Sequence, residues 1–304
     1  MSASILTEED FARLRDLRAF QPTDIADRLA SRRRRPLLGG DGRLLIVAAD
    51  HPARGALAVG GNPTAMADRH DLLDRLAIAL ARPGVDGVLG TPDIIDDLAA
   101  LGLLDDKIVV GSMNRGGLRD ATFEMDDRYT GYSVPAMLAA GVDLAKTLVR
   151  INLGDAATAP TLSATADAVT QAAAARLPIL LEPFMSEWID GRIVNDLSTD
   201  AVIRSVAIAA GLGDSSAYTW IKLPVVADME RVLAATTTPV LLLGGDSGAP
   251  LDETFASWRD ALALPGVRGL TVGRTLLYPP GDDVVAAVDT AAALVHPAIV
   301  PAAF

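Results

Sequence analysis

Eight short apolar runs, separated by helix-like stretches, constrain the fold of this chain more than any other feature. The first covers residues 44–49 in GRLLIVAADHP. Similar runs, GVDGVLGT, KIVVGSM, VDLAKTLVRI, LPILLEPF, AYTWIKLPVV, TPVLLLGG and VRGLTVGR, start near Val85, Lys107, Val142, Leu177, Ala217, Thr238 and Val267. Between them lie stretches such as AMADRHDLLDRLAIALA, TPDIIDDLAALG and LSTDAVIRSVAIAAG, the last two with Thr91 and Ser198 at the expected N-cap. Continuous apolar runs mark strands covered on both faces, and strict alternation with helices marks parallel pairing. An open doubly wound sheet shares that alternation, but eight evenly spaced units match the roughly 250 residues of a closed (β/α)8 TIM barrel. Two amphipathic stretches, residues 8–19 and 23–34, precede the first run and predict a short N-terminal helical extension. We expect a single domain, with helices within residues 1–40 and the barrel over 43–297.

Composition narrows the function. Half of the 304 residues are apolar, enough for one large core. The formal net charge of -12 repels polyphosphate chains and argues against nucleic acid as a partner. The four arginines at 32–35 then read as a solvated helix end. There is no cysteine, which excludes disulfides and thiolate chemistry. No run approaches the ~18 apolar residues of a membrane span, and the first residues do not resemble a signal peptide, so no membrane and a cytoplasmic location are expected. Lysine is rare: only Lys107, Lys146 and Lys222 occur.

Barrel enzymes carry their active sites at the carboxyl ends of the strands, where polar residues within or just after an apolar run point into the mouth. That rule selects Asp50 and His51 after the first run, Ser112 and Asn114 after the third, Lys146 and Arg150 on the fourth, Glu182 on the fifth and Lys222 on the sixth. Lys222, between Ile221 and Leu223, is costly to bury charged, so its amine is expected to be neutral part of the time and able to attack a carbonyl. Lys146 supplies a neighbouring cation, and Glu182, in LLEPF, is placed to move protons. Gly244, Gly245, Gly273 and Arg274 end the seventh and eighth runs, where many barrels bind phosphate. The competing reading makes the lysines structural partners of Glu182 or Asp50, has Glu182 hold Arg150, gives Asp50 only an orienting role, and treats the glycines as ordinary turns. The long polar connections at residues 114–132 and 184–197 are expected to be substrate loops.

Six segments, AADHPARG, VDLAKTLVRI, LLEPF, WIKLP, LLGGDS and LTVGRTL, resemble in order the class I (Schiff-base) aldolases of the tagatose-1,6-bisphosphate and sulfofructose-phosphate type, and more distantly the archaeal-type fructose-bisphosphate and deoxyribose-phosphate aldolases. The likeness spans residues 44–277. It implies that Lys222 forms the imine, Lys146 contacts substrate beside it, Glu182 is an acid/base and Asp50 assists. It implies a reversible cleavage of a phosphorylated ketose or keto acid without metal or organic cofactor, in a homo-oligomer. Some relatives cleave 2-deoxy-5-keto-gluconate 6-phosphate to dihydroxyacetone phosphate and malonate semialdehyde. The sequence departs from the pattern at His51-Pro52 and at Asp246, a carboxylate in the loop expected to hold phosphate. Two other functions stay open: a metal-dependent lyase of the same fold, short of ligands with only His51, His70 and His296 available, and a sugar-phosphate-binding protein without catalysis.

Overall fold

The structure, a computed structural model, describes residues 4–244 and 250–298. Eight parallel strands close into a barrel: β1 (Leu44–Ala48), β2 (Gly87–Gly90), β3 (Ile108–Ser112), β4 (Leu144–Ile151), β5 (Ile179–Ile189), β7 (Thr219–Leu223), β8 (Val240–Leu243) and β9 (Val267–Val272). Each pairs with its neighbours in chain order, β4 pairs with β5, and β9 returns to β1, so no barrel edge is left open. Around them run α3 (Arg69–Ala81), α4 (Pro92–Ala100), α5 (Val134–Ala139), α6 (Thr158–Ala174), α7 (Thr199–Ala210), α8 (Met229–Ala234), α9 (Leu251–Leu262), α10 (Arg274–Leu277) and α11 (Val284–Val295). Two helices precede the barrel, α1 (Glu8–Phe20) and α2 (Pro22–Ser31), and α2 packs on α4. Among the described residues no helix is long and apolar enough to cross a membrane.

The apolar runs are continuous because successive residues serve two cores. Leu44, Ile46, Ala48, Leu89, Ile108, Val110, Leu144, Leu180, Trp220 and Leu241 fill the barrel interior. Their chain neighbours, among them Leu45, Val47, Val109, Ala145, Leu181, Ile221 and Leu242, pack outward under the helices. Gly269 (φ 133°) lies where β9 presses on β1, and a Cβ there would stand 1.9 Å from the Leu44 carbonyl oxygen.

The base of the barrel is sealed by charge. Asp86 accepts from the Leu45 amide at 2.7 Å and Asp143 from the Val109 amide at 2.9 Å, so each carboxylate closes the start of a strand. Three of the four arginines at 32–35 reach these acids, which corrects their assignment to a solvated helix end. Helix α2 ends at Ser31, the buried Arg32 and the more exposed Arg34 bind Asp143 at 2.6 and 2.7 Å, and Arg35 binds Asp86 at 2.6 Å. Arg33, with an exposed side chain, pairs with Asp106. Leu37 then packs against the interior cluster from below. Lys107 also belongs to this end, donating to the Val85 carbonyl at 2.7 Å.

Two local readings change. Thr91 occupies the N-cap of α4 without a capping bond to the backbone; its hydroxyl donates to Asp93 at 2.5 Å instead, whereas the Ser198 hydroxyl does accept from Ala201 at the start of α7. The polar connection at 184–197 is a β-ribbon. Strand β5 continues past the barrel and pairs antiparallel with β6 (Arg192–Asn195), turning at Asp190 and Gly191, both with positive φ. Trp188 anchors the ribbon, its indole N–H donating to Asp155 at 2.7 Å.

His296, just after α11, is clamped between Asp41 (2.5 Å) and Asp86 (2.9 Å). Burial opposes its protonation, but the two carboxylates outweigh burial and raise its pKa above the ordinary 6.5. A histidine with a raised folded pKa contributes stability that is complete below its unfolded value and is lost as pH rises through the folded one. His296→Asn is therefore expected to cost about 1–3 kcal/mol at pH 5.5 and progressively less at higher pH, measured by urea unfolding across that range. A cost independent of pH would contradict the clamp.

Candidate active site

The interior alternation that fills the barrel with leucine and valine continues upward into charge. Two residues beyond Ala48, Val110, Leu144, Leu180 and Trp220, on the same inward phase, stand Asp50, Ser112, Lys146, Glu182 and Lys222. Register sets Ser112 beside Lys146, and on β5 the partner of Lys146 is Leu180, so Glu182 stands one inward step above it. Both lysines are only 4% exposed and Glu182 8%.

These five side chains form one connected chain. The Ser112 hydroxyl donates to Asp50 Oδ2 at 3.2 Å, and the Lys146 ammonium lies 2.9 Å from the same oxygen. Glu182 bridges the two lysines, with Oε2 2.7 Å from Lys146 Nζ and Oε1 3.1 Å from Lys222 Nζ. Lys146 thus has two carboxylates and Lys222 has one.

That asymmetry separates their acidities. Burial disfavours the charge of Lys146, yet Asp50 and Glu182 outweigh it and raise the pKa above the ordinary lysine value. For Lys222 burial comes first and the neighbouring Lys146 charge adds to it; Glu182 and Asp50 compensate only in part, and the pKa is lowered. Burial pushes Glu182 up, but the two ammonium groups more than offset this and bring it down to about 2. Asp50 is likewise lowered, burial being overcome by Lys146, His51 and Lys222. The site therefore holds two carboxylates kept ionised, one lysine whose charge is favoured and one whose charge is disfavoured.

His51 lies 3.8 Å from Asp50 Oδ1, too far to hydrogen-bond. Its Nδ1 is buried without a partner among the described residues. Burial, with Arg274, Lys222 and Arg54 nearby, pushes its pKa down to about 3 against the pull of Asp50, so the imidazole is neutral. Asn114 exchanges two hydrogen bonds with the Leu148 backbone and ties the loop after β3 to β4.

The expected anion loops have a packing role as well. A Cβ on Gly273 would fall 2.4 Å from the Ala48 carbonyl oxygen and 2.8 Å from His51 Cε1, and one on Gly244 2.5 Å from Val272 Cγ1. Arg274 Nη1 donates to the Ala58 carbonyl at 3.3 Å. Gly245 and Asp246 lie outside the described residues.

Arg150, expected to touch substrate, is engaged by protein. Its guanidinium donates to Asp127 at 2.8 and 2.9 Å and to Glu124 at 2.9 Å, and it is 3% exposed. It braces the loop at 114–132 from beneath. Nor does Glu182 hold Arg150, as one reading allowed; its partners are the lysines. Sequence reasoning missed Glu124 and Asp127, because a carboxylate inside a polar loop carries no sign that it folds back into the barrel. It also passed over Arg54, visible in AADHPARG just after Asp50. Among the described residues, no group of three or more His, Asp or Glu side chains has the arrangement of a metal site.

Residues 42–292 match the Cgl0159-like family. The crystal structure of Cgl0159 from Corynebacterium glutamicum is 73% identical, covers 97% of this chain and 99% of that one, and superposes with a TM-score of 0.95. The chain belongs to the Cgl0159-like family. Beyond this family the likeness is one of fold. An archaeal fructose-1,6-bisphosphate aldolase, solved with its catalytic lysine bound to the carbinolamine intermediate, is 20% identical with a TM-score of 0.61, covering 90% of this chain and 99% of its own. The fructose-bisphosphate aldolase from Slackia heliotrinireducens is 16% identical with a TM-score of 0.62, covering 97% and 88% respectively. No curated protein matches significantly. This Cgl0159-like chain thus shares the barrel fold of those two aldolases.

Removing one partner of a buried ion pair strands the other. Lys146→Met is expected to lower stability by about 3–5 kcal/mol, and the double variant Asp50→Leu/Lys146→Met to lose less than the sum of the two single changes, measured by urea unfolding. Additive losses would show that the two groups are not coupled.

Proposed function

We propose that this Cgl0159-like protein is a class I aldolase, a carbon–carbon lyase in which Lys222 forms the Schiff base with a phosphorylated ketose or keto acid. The observation that carries the reading is the unequal sharing of Glu182. The doubly paired Lys146 is kept cationic, while burial and that same cation make Lys222 the better free amine. The fold shared with aldolases that use a catalytic lysine supports it. The candidate substrate of inositol breakdown, 2-deoxy-5-keto-gluconate 6-phosphate, falls in this class.

The steps follow from the positions. The Lys222 amine adds to the substrate ketone, and loss of water from the carbinolamine gives an iminium. A carboxylate, Asp50 or Glu182, takes the proton of the β-hydroxyl. As that oxygen becomes an aldehyde, the electrons of the breaking carbon–carbon bond pass into the iminium and leave an enamine. The aldehyde departs, the enamine carbon is reprotonated, and water hydrolyses the iminium to the ketone product and free Lys222. Both carboxylates are ionised at neutral pH, which suits them to accept the proton, and Lys146 opposes the charge on the departing oxygen. Gly273 and Arg274, with Gly244 and His51 beside them, are proposed to hold the phosphate end, together with Gly245, which lies outside the described residues. Arg150 serves by bracing the loop above. Because the folded pKa of Lys222 is lowered, activity should fall on the acid side as the amine is protonated.

Borohydride treatment during turnover of a panel of ketose phosphates is expected to give a mass adduct on the Lys222 peptide. Lys222→Ala should lose several orders of magnitude in rate, and exhaustive EDTA should leave activity intact. Absence of the adduct, with activity surviving Lys222→Ala, would sink the reading; loss of activity in EDTA would favour the metal-dependent lyase.

A further inference from the structure

An anionic substrate approaches a protein of formal charge -12, so its attraction has to come from cations placed locally at the mouth. Most of the mouth's cations are already engaged. Lys146 and Lys222 share Glu182 and Asp50, Arg150 is bound by Glu124 and Asp127, and Arg274 reaches the Ala58 carbonyl.

Arg54 differs from all of these. It closes the 3-10 turn Pro52–Arg54, four residues beyond Asp50, and Gly55 with φ 77° turns the chain away after it. Its carbonyl accepts from the Arg119 amide at 2.9 Å, fastening this turn to the long loop after β3. The residue is half-buried, yet among the described residues its guanidinium makes no hydrogen bond and no ion pair. Its electrostatic neighbours are Arg150, Asp127, Asp50 and Glu182, so it stands between the braced loop and the lysine–carboxylate chain. Burial, and then the like charge of Arg150, disfavour its protonated form. A half-buried guanidinium whose five donors are taken up by no protein group is open to a ligand at the mouth. Its planar fork matches one chemistry, an oxyanion taken bidentately.

We infer that Arg54 binds an oxyanion substituent of the substrate, a phosphate or a carboxylate, on the side of the mouth between β1 and the loop after β3. This position is distinct from Gly273 and Arg274 at the end of β9. The substrate then carries an acidic group at each of two positions and is a bis-anion, such as a sugar acid phosphate or a bisphosphate. The inference deepens the proposed function and rests on its placement of the reaction at this mouth; it does not require that Lys222 form an imine.

Calorimetric titration with inorganic phosphate and, separately, with malonate tests it on the intact protein, Arg54→Gln, Arg54→Lys and Lys222→Ala, with thermal midpoints recorded alongside. The wild type is expected to bind at least one of the two anions, and the one whose binding depends on Arg54 identifies the group as phosphate or carboxylate. Arg54→Gln should weaken that binding by about tenfold or more, with Arg54→Lys between the two. The thermal midpoint of Arg54→Gln should equal or exceed that of the wild type, since no partner is lost. Lys222→Ala should still bind the anion, so failure of the imine chemistry would not be mistaken for failure here. Undiminished anion binding by Arg54→Gln would overturn the inference. So would absence of binding by the wild type, or a fall of several degrees in the midpoint of Arg54→Gln with binding unchanged.

Discussion

Glu182 is one carboxylate shared by two buried ammonium groups, and the rest of the site takes its meaning from how unequally it is shared. Its two oxygens reach Lys146 and Lys222 at 2.7 and 3.1 Å, but Lys146 also has Asp50 at 2.9 Å. Two cations this close in a buried site cannot both hold their protons equally well. The lysine with the second carboxylate keeps its charge. The other, with only its share of Glu182 to offset desolvation, has its charge disfavoured and is the lysine proposed as the nucleophile. A single glutamate therefore leaves two lysines of the same mouth with opposite shifts in acidity.

The barrel makes this arrangement reproducible because parallel register and inward alternation leave these side chains little freedom. Each charged residue is two steps above an interior apolar residue; register sets Ser112 beside Lys146, and Glu182 lies one inward step above them on the next strand. Below, the interior is closed by Leu37 and by the arginines of the N-terminal extension bound to Asp86 and Asp143. The base thus contributes stability, and the mouth carries unsatisfied chemistry at His51 and Arg54. This division matches barrels in which catalysis and stability occupy opposite faces.

Much of this was legible beforehand, for identifiable reasons. Strands buried on both faces read as unbroken apolar runs, so the eight barrel strands could be found. Lys146, Glu182 and Lys222 stood out because a charge inside such a run has to be explained. What stayed hidden depends on partners distant in sequence. Arg32 resembles any arginine of a basic cluster until Asp143 meets it, and Arg150 looks available until Asp127 folds back over it. The β5–β6 ribbon had a local sign, the Asp-Gly pair at 190–191 after Trp188-Ile189 and before Arg192-Ile193-Val194, which the polar residues around it obscured.

The chain has only three lysines, so a side-chain nitrogen NMR titration of the lysine-labelled protein resolves and assigns every ammonium group. As pH rises, Lys222 is expected to lose its proton below the ordinary lysine value while Lys146 holds its own beyond it. If Lys146 titrated first, or if both held their protons past that value, the division of labour built on Glu182 would be wrong.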